Sequence, residues 1–212
     1  MPYQLKTVGS KTLLYVMAAE PEYGPALRAR FSPLFTGIGP VEAALSLGAT
    51  LATLDATGAK PDLVVSLGSA GSRRLPMASV HQARAVSYRD MDASALGFPV
   101  GCTPLLDEPA VATLRAWVPE LSAVHLGTGA SVVSGDGYDR VQADMVDMET
   151  YAIYRACRVF GCELAALRGV SDGAEPLAEL ADWTRYLSVI DARLAEVVDR
   201  LEAAVENPES EH

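Results

Sequence analysis

Asp62-Leu63-Val64-Val65-Ser66-Leu67, running directly into Gly68-Ser69-Ala70-Gly71-Ser72, decides the fold. Leu63 to Leu67 is mostly apolar, with β-branched Val64 and Val65, as expected for a central, buried strand. The next five are small and glycine-rich, as expected where a strand breaks into a tight turn. Working upstream, Ala- and Leu-rich Val41 to Thr57 reads as a helix with Pro40 in its first turn. Glu22 to Phe31 can form a shorter helix. Leu13 to Ala19 is a continuous apolar run that reads as a buried strand ending at Glu20 and Pro21. Downstream, Val80 to Tyr88 and Ala123 to Val133 read as strands, separated by a loop over Arg89 to Pro104 and a helix near Pro109 to Trp117. Met145 to Met148 reads as a strand entering the helix Glu149 to Phe160. Cys162 to Val170 is another buried strand, ending at Ser171-Asp172-Gly173. From Leu180 onward Trp183, Leu187, Ile190, Leu194, Val198, Leu201 and Val205 recur at three- and four-residue steps, one apolar stripe of a helix that covers the sheet. The tail 206–212 is expected to be disordered.

This is an α/β pattern, and 212 residues suit one domain, expected over 1–205. Open α/β sheets place ligands at the carboxyl ends of their strands. Three such ends carry Glu20, the Gly68 to Ser72 turn, and Asp172. Their convergence says only that a polar pocket could exist, because loops after strands are often Gly- and Asp-rich simply to turn the chain. Glu20 is also readable as a solvated acid at a helix start, and Asp172 as a turn residue.

Composition removes several classes of function. Half of the residues are hydrophobic and 21% are charged, too apolar for disorder. A formal net charge of −10 with no Lys/Arg cluster opposes nucleic-acid binding. Cys102, Cys157 and Cys162 have neither metal-ligand spacing nor an even count, so they are expected as free thiols, with no metal and no cofactor. No apolar run approaches a membrane span and the first residues lack a signal-peptide pattern, so the expected location is the cytoplasm. His81 and His125 lie in apolar strand contexts and are expected to be structural.

Five segments, in order and at similar spacing, resemble the nucleoside phosphorylase and nucleosidase superfamily, specifically the 5′-methylthioadenosine/S-adenosylhomocysteine nucleosidases. They are 16–20, Thr36-Gly37-Ile38-Gly39-Pro40 with 41–44, Leu67-Gly68-Ser69-Ala70-Gly71, 88–98, and Val133 to Tyr138 with Val146 to Asp172. The resemblance implies a three-layer α/β/α fold around a mixed, twisted central sheet, and commonly a homodimer. It implies hydrolysis of an N-glycosidic bond, with Asp172 protonating N7 of the purine and Glu20 activating water. Ser69 and Arg168 would help to hold that water and Glu20, and Ser171 would steady the acid. Glu149 would bind the ribose hydroxyls with help from the backbone of Met148, and Tyr138 would lie against the base. Ala93 and Leu96 would belong to a loop that closes the 5′-pocket of a neighbouring subunit. Two carboxyl groups of this kind match the chemistry, since cleavage through an oxocarbenium-like state needs an acid at the leaving group and a base on the water.

Phosphorylases of the superfamily carry arginines against phosphate. Here Ser66 and Leu67 precede Gly68, and 17–20 contributes an acid, so water is the expected nucleophile. The chain is short between Glu20 and Thr36 and between Asp136 and Asp147, which touches base and 5′-group selectivity. A phosphate-dependent phosphorylase or futalosine-type hydrolase is the alternative enzyme, and a nucleoside-binding protein without turnover is the alternative outside catalysis.

Overall fold

A computed structural model describes residues 2–173, 175 and 178–207. The 208–212 part of the expected tail lies outside them, whereas Glu206 is the last residue of a helix.

The chain opens with a hairpin that the sequence reading left out. Strand β1 (Leu5–Val8) pairs antiparallel with β2 (Lys11–Met17), turning at Gly9, whose φ of 56° suits glycine. A one-turn 3-10 helix (Glu20–Glu22) and the four-residue helix α1 (Pro25–Arg28) stand where a longer helix is predicted. Pro21, Gly24 and Pro25 interrupt any longer run. The α1 start is held from a distance: Asp191 accepts the backbone N–H groups of Ala26 at 2.9 Å and Leu27 at 3.1 Å. A Cβ on Gly24 would sit 2.5 Å from the Asp191 carboxylate, so this approach requires glycine.

Next come the two-residue β3 (Leu34–Phe35), α2 (Pro40–Ala56), β4 (Leu63–Gly71) and β5 (Val80–Tyr88). The small residues Gly68 to Gly71 are the end of β4 itself, with the turn following them. Val111–Thr113 forms the edge strand β6, antiparallel to β5, in place of the predicted helix. Val111 and Thr113 are β-branched and stand exposed either side of buried Ala112, the alternation of an edge strand. Strand β7 (Ala123–Thr128) stops at Gly129, short of the predicted Val133. Strand β8 (Met145–Asp147) leads into α3 (Thr150–Phe160), and β9 (Glu163–Asp172) extends two residues past its predicted end. The last helix divides into α4 (Leu180–Thr184) and α5 (Leu187–Glu206).

The sheet is mixed. β2 and β9 lie parallel to β4, while β5 lies antiparallel to β9 and parallel to β7. β7 pairs with β8, and β8 returns to β4 through Gly71 and Val146. The ring β4-β9-β5-β7-β8 is therefore closed, bringing Gly71, Val146 and the end of β9 together.

Alternation along β2 explains the layers. Leu13, Tyr15 and Met17 pack with Leu187, Ile190, Leu194 and Leu201 of α5, while Leu14 and Val16 pack with Leu47 and Leu51 of α2 and Ile153 of α3. Both faces of the strand are buried, hence its unbroken apolar run. Complete burial of a leucine such as Leu194 stabilises the fold by roughly 1.5–3 kcal/mol. A Cβ on Gly169 would be 2.4 Å from Ile190, so glycine lets α5 seat closely on β9.

Candidate active site

At the carboxyl ends of β2, β4, β8 and β9 lies a cavity of about 500 Å³. Glu22, Ser69, Met148, Glu149, Ser171 and Asp172 line it, along with Arg89 and Trp183. These positions come from four strand ends, from the turn after β2 and from α4.

Glu22, and not Glu20, is the acid that enters this site. β2 ends at Met17, two residues before the strand end expected from sequence, and 18–19 lead into the 3-10 turn that carries both acids. Within a turn of about three residues per revolution, positions 20 and 22 point in different directions. The Glu20 side chain is 73% exposed and pairs with the exposed Arg28 at 3.3 Å, a surface bridge of little energetic weight. Glu22 is buried. Its Oε1 accepts the backbone N–H of Ser69 at 2.7 Å and the Ser69 hydroxyl at 2.6 Å, while Oε2 has no partner among the described residues. Burial raises the Glu22 pKa above the ordinary glutamate value, opposed by the two bonds from Ser69 and by the Arg168 charge.

Asp172 owes its aim to a β-bulge. Ala70 pairs with Val170 but Gly71 pairs with Asp172, so Ser171 is the additional residue and strict alternation is lost. Regular alternation from Arg168 toward Asp172 is therefore broken beyond Val170. Both Ser171 and Asp172 line the cavity, and the Ser171 hydroxyl donates to Asp172 Oδ1 at 2.5 Å. Burial raises the Asp172 pKa, offset in part by the Ser171 and Tyr138 hydroxyls. Tyr138 is buried, is absent from the described cavity wall, and points its hydroxyl at Asp172 Oδ2 across 3.5 Å. A side chain on Gly71 would overlap that hydroxyl.

Arg168 also stands outside the cavity wall. It forms a buried ion pair with Asp147, with bonds from Nε at 3.2 Å and Nη2 at 3.1 Å. Nη2 further donates to Ser66 at 2.9 Å and Thr150 at 2.7 Å. Asp147 in turn accepts from Thr128 at 2.6 Å, from the Thr150 amide at 3.1 Å and from the Thr150 hydroxyl. Every charge here is bonded, as a buried pair requires, and removal of one partner from such a pair typically costs about 3–5 kcal/mol.

Glu149 is the N-cap of α3, and its Oε1 accepts the Gly39 N–H at 2.8 Å. Gly39 has a φ of 97°, which keeps the position for glycine and sets Pro40 at the start of α2. Burial, then the neighbouring Asp147 charge, pushes the Glu149 pKa up to about 7.

Ala93 and Leu96 do not contribute to this cavity; Leu96 is 75% exposed. His81 and His125 lie in β5 and β7 and bond Ser79 and Ser87, away from the cavity wall. Among the described residues no group of three or more His, Cys, Asp or Glu is placed to hold a metal ion, and no helix is long and apolar enough to cross a membrane. The cysteines are free thiols.

Trp183 and Arg89 are cavity residues that sequence reading did not single out. Trp183 hides in the apolar stripe of the last helices, and its indole N–H donates to Ser69 Oγ at 2.8 Å. Arg89 follows β5 and is held by the Ser131 carbonyl, with Nε buried and without a partner among the described residues.

The chain, with a closed β-ring and a carboxylate-lined cavity at its strand ends, belongs to the phosphorylase superfamily, whose model matches residues 32–206. It is similar to 5′-methylthioadenosine/S-adenosylhomocysteine nucleosidase of Haemophilus influenzae (strain PittEE), with 29% identity over 191 residues covering 79% of this chain and 80% of the relative. Its fold is that of the 5′-methylthioadenosine/S-adenosylhomocysteine nucleosidase of Colwellia psychrerythraea 34H, solved in complex with adenine: TM-score 0.75, 20% identity, covering 96% of this chain and 97% of the other. It is equally that of a futalosine hydrolase mutant of Helicobacter pylori strain 26695: TM-score 0.75, 18% identity, covering 89% and 97%.

Proposed function

We propose that this chain is a nucleosidase that hydrolyses the N-glycosidic bond of 5′-methylthioadenosine, S-adenosylhomocysteine or a related 5′-modified adenosine. The carrying observation is the convergence of three carboxyl groups, buried Glu22 and Glu149 and half-buried Asp172, on one cavity. The similarity to named nucleosidases supports the substrate class.

In this reading Asp172, whose pKa is raised by partial burial, gives a proton to N7 of the base as the C1′–N9 bond breaks. Glu22 takes a proton from the water whose oxygen bonds to C1′. Glu149, with the Met148 backbone beside it, holds the ribose hydroxyls. Tyr138 acts behind the acid instead of stacking on the base. Arg168 fixes Asp147 beneath the ribose-binding turn and lends positive potential to Glu22.

Water is favoured over phosphate by charge. Besides Asp172, read as the proton donor, the described cavity wall carries Glu22, Glu149, Glu179 and the Arg168-paired Asp147 against the one guanidinium of Arg89. A phosphate dianion would meet repulsion that water does not.

A homodimer is part of the reading. Ile38, Val41 and Leu45 expose 54%, 65% and 65% of their surface on the α2 side opposite buried Ala43, Leu47 and Leu51, and Leu96 and Val100 are exposed as well. An apolar stripe on both sides of α2 fits a second copy of the chain. Ile38 also lines the cavity, so the interface would reach the site, where the loop with Ala93 and Leu96 closes the partner's 5′-pocket. A cytoplasmic place in salvage of S-adenosylmethionine by-products follows from this substrate class.

The test is base release from methylthioadenosine, S-adenosylhomocysteine, adenosine and inosine, with and without phosphate. Phosphate-independent adenine release from the thio-substituted nucleosides is expected. Release only with phosphate would make the chain a phosphorylase, and preference for inosine would move it to hydrolases of 6-oxopurine nucleosides.

A further inference from the structure

Trp183 sits on α4, and its ring forms part of the cavity wall. Its indole Nε1 is 2.8 Å from Ser69 Oγ, and Ser69 Oγ is 2.6 Å from Glu22 Oε1. An indole N–H can only donate, whereas a serine hydroxyl has one proton and two acceptor lone pairs. Donation from Trp183 into the Ser69 oxygen directs the hydroxyl proton elsewhere, and Glu22 Oε1 is the acceptor at hydrogen-bond distance. The Ser69 backbone N–H reaches the same oxygen. Oε1 therefore holds two donors and Oε2 none among the described residues.

We propose that Trp183 is a positioning residue for hydrolysis: through Ser69 it orients the Glu22 carboxylate so that Oε2, buried and without a donor among the described residues, is left as the oxygen that takes the proton of the attacking water. The inference rests on the reading of Glu22 as the base. It assigns a role to α4, an element outside the strand ends that carry the reacting groups. Other charges acting on Glu22 are Arg168 on β9, Asp147 at the end of β8 and Glu149 after it, and all are unchanged in the variants below.

Loss of the indole N–H frees the Ser69 hydroxyl to rotate and weakens its donation to Glu22. The ionised carboxylate is then less stabilised, so the acidic limb of the kcat profile moves to higher pH. Trp183→Phe keeps the ring and removes the donor. It is expected to lower kcat about fivefold to tenfold with KM within about twofold, the scale of one lost hydrogen bond between neutral groups. Combined with Ser69→Ala it should cost little beyond Ser69→Ala alone, since both act through one chain of bonds.

A measurement without turnover completes the test. The protein has two tryptophans. Trp117 donates its indole N–H to the Leu164 carbonyl in the core and serves as an internal reference. In ¹⁵N-correlated spectra the Trp183 indole signal should titrate with pH in wild type and stay flat in Glu22→Gln, with Trp117 flat in both. A Trp183 signal that ignores Glu22→Gln, unchanged kinetics in Trp183→Phe, or costs that add in the double variant would overturn the proposal. If wild type released no base from any nucleoside, the hydrolase reading would fall, and the indole titration would still decide whether the Trp183–Ser69–Glu22 relay exists.

Discussion

Ser69 meets Glu22 twice, with its backbone N–H and its hydroxyl both donating to Oε1, and this double contact pins the carboxylate against the end of β4. The neighbouring Gly68 makes room for it, since a Cβ there would lie 3.0 Å from Oε2 and 3.2 Å from Oε1. Its backbone conformation is one that alanine adopts freely. Gly68→Ala is therefore expected to push the carboxylate aside without unfolding the chain. Activity should fall about 10- to 100-fold, the penalty of misplacing a reacting group by a fraction of an ångström to one ångström. The thermal midpoint should stay within a few degrees. Steady-state kinetics beside a thermal melt checks this, and full activity in the variant would contradict the contact.

Glu149 couples activity to stability. Burial lifts its pKa from 4.5 to about 7, so the folded protein holds that proton more tightly than the unfolded chain does. Its contribution to stability is greatest below pH 4.5 and is lost as the pH rises through about 7. Glu149→Gln removes this loss while the amide oxygen still accepts the Gly39 N–H. At pH 8 the variant should gain on the order of 2 kcal/mol relative to its difference from wild type at pH 5, a shift of several degrees in midpoint. It should also lose most of its activity. Melting curves for both proteins at the two pH values provide the check, and a constant difference would remove the linkage.

Asp191 lies in α5, yet it caps α1 and so holds the segment that carries Glu22. Replacement by alanine leaves the Ala26 and Leu27 N–H groups without their acceptor and opens space beside Gly24. Asp191→Ala should destabilise the protein by about 1–3 kcal/mol and lower kcat as well, because the turn at 20–22 loses its anchor. Denaturant unfolding with parallel kinetics tests both halves. Asp191→Asn, which retains an acceptor, should recover part of each.

How much of this was legible in the sequence differs by element. The apolar runs of β2, β4 and β9 and the stripe of α5 were readable because burial on both faces, or on one helical face, leaves a direct mark in residue order. β6 stands where the sequence pattern predicts a helix, because three residues at a sheet edge are specified by pairing with β5, which local sequence does not contain. The closure of the ring through Gly71 and Val146 is likewise a tertiary fact. In the cavity, Ser69, Met148, Glu149, Ser171 and Asp172 fall on strand or helix ends that the sequence located well. Glu-Pro-Glu offers two acids, and which one turns inward is set by the contact of Glu22 with Ser69, 47 residues away, which local sequence does not contain. The bulge at Ser171 and the inward N–H of Trp183 depend on neighbours far away in the chain. An apolar stripe gives no sign that one of its members also donates a hydrogen bond.

The role of Glu22 as the base of a hydrolytic reaction is tested most directly by adenine release from methylthioadenosine in phosphate-free buffer, with wild type, Glu22→Gln and Glu20→Gln side by side. Wild type and Glu20→Gln should release adenine at similar rates, with Glu22→Gln slower by about 10²- to 10⁴-fold, the range for loss of a general base. Wild-type release that requires phosphate, or a Glu22→Gln variant as fast as wild type, would contradict it.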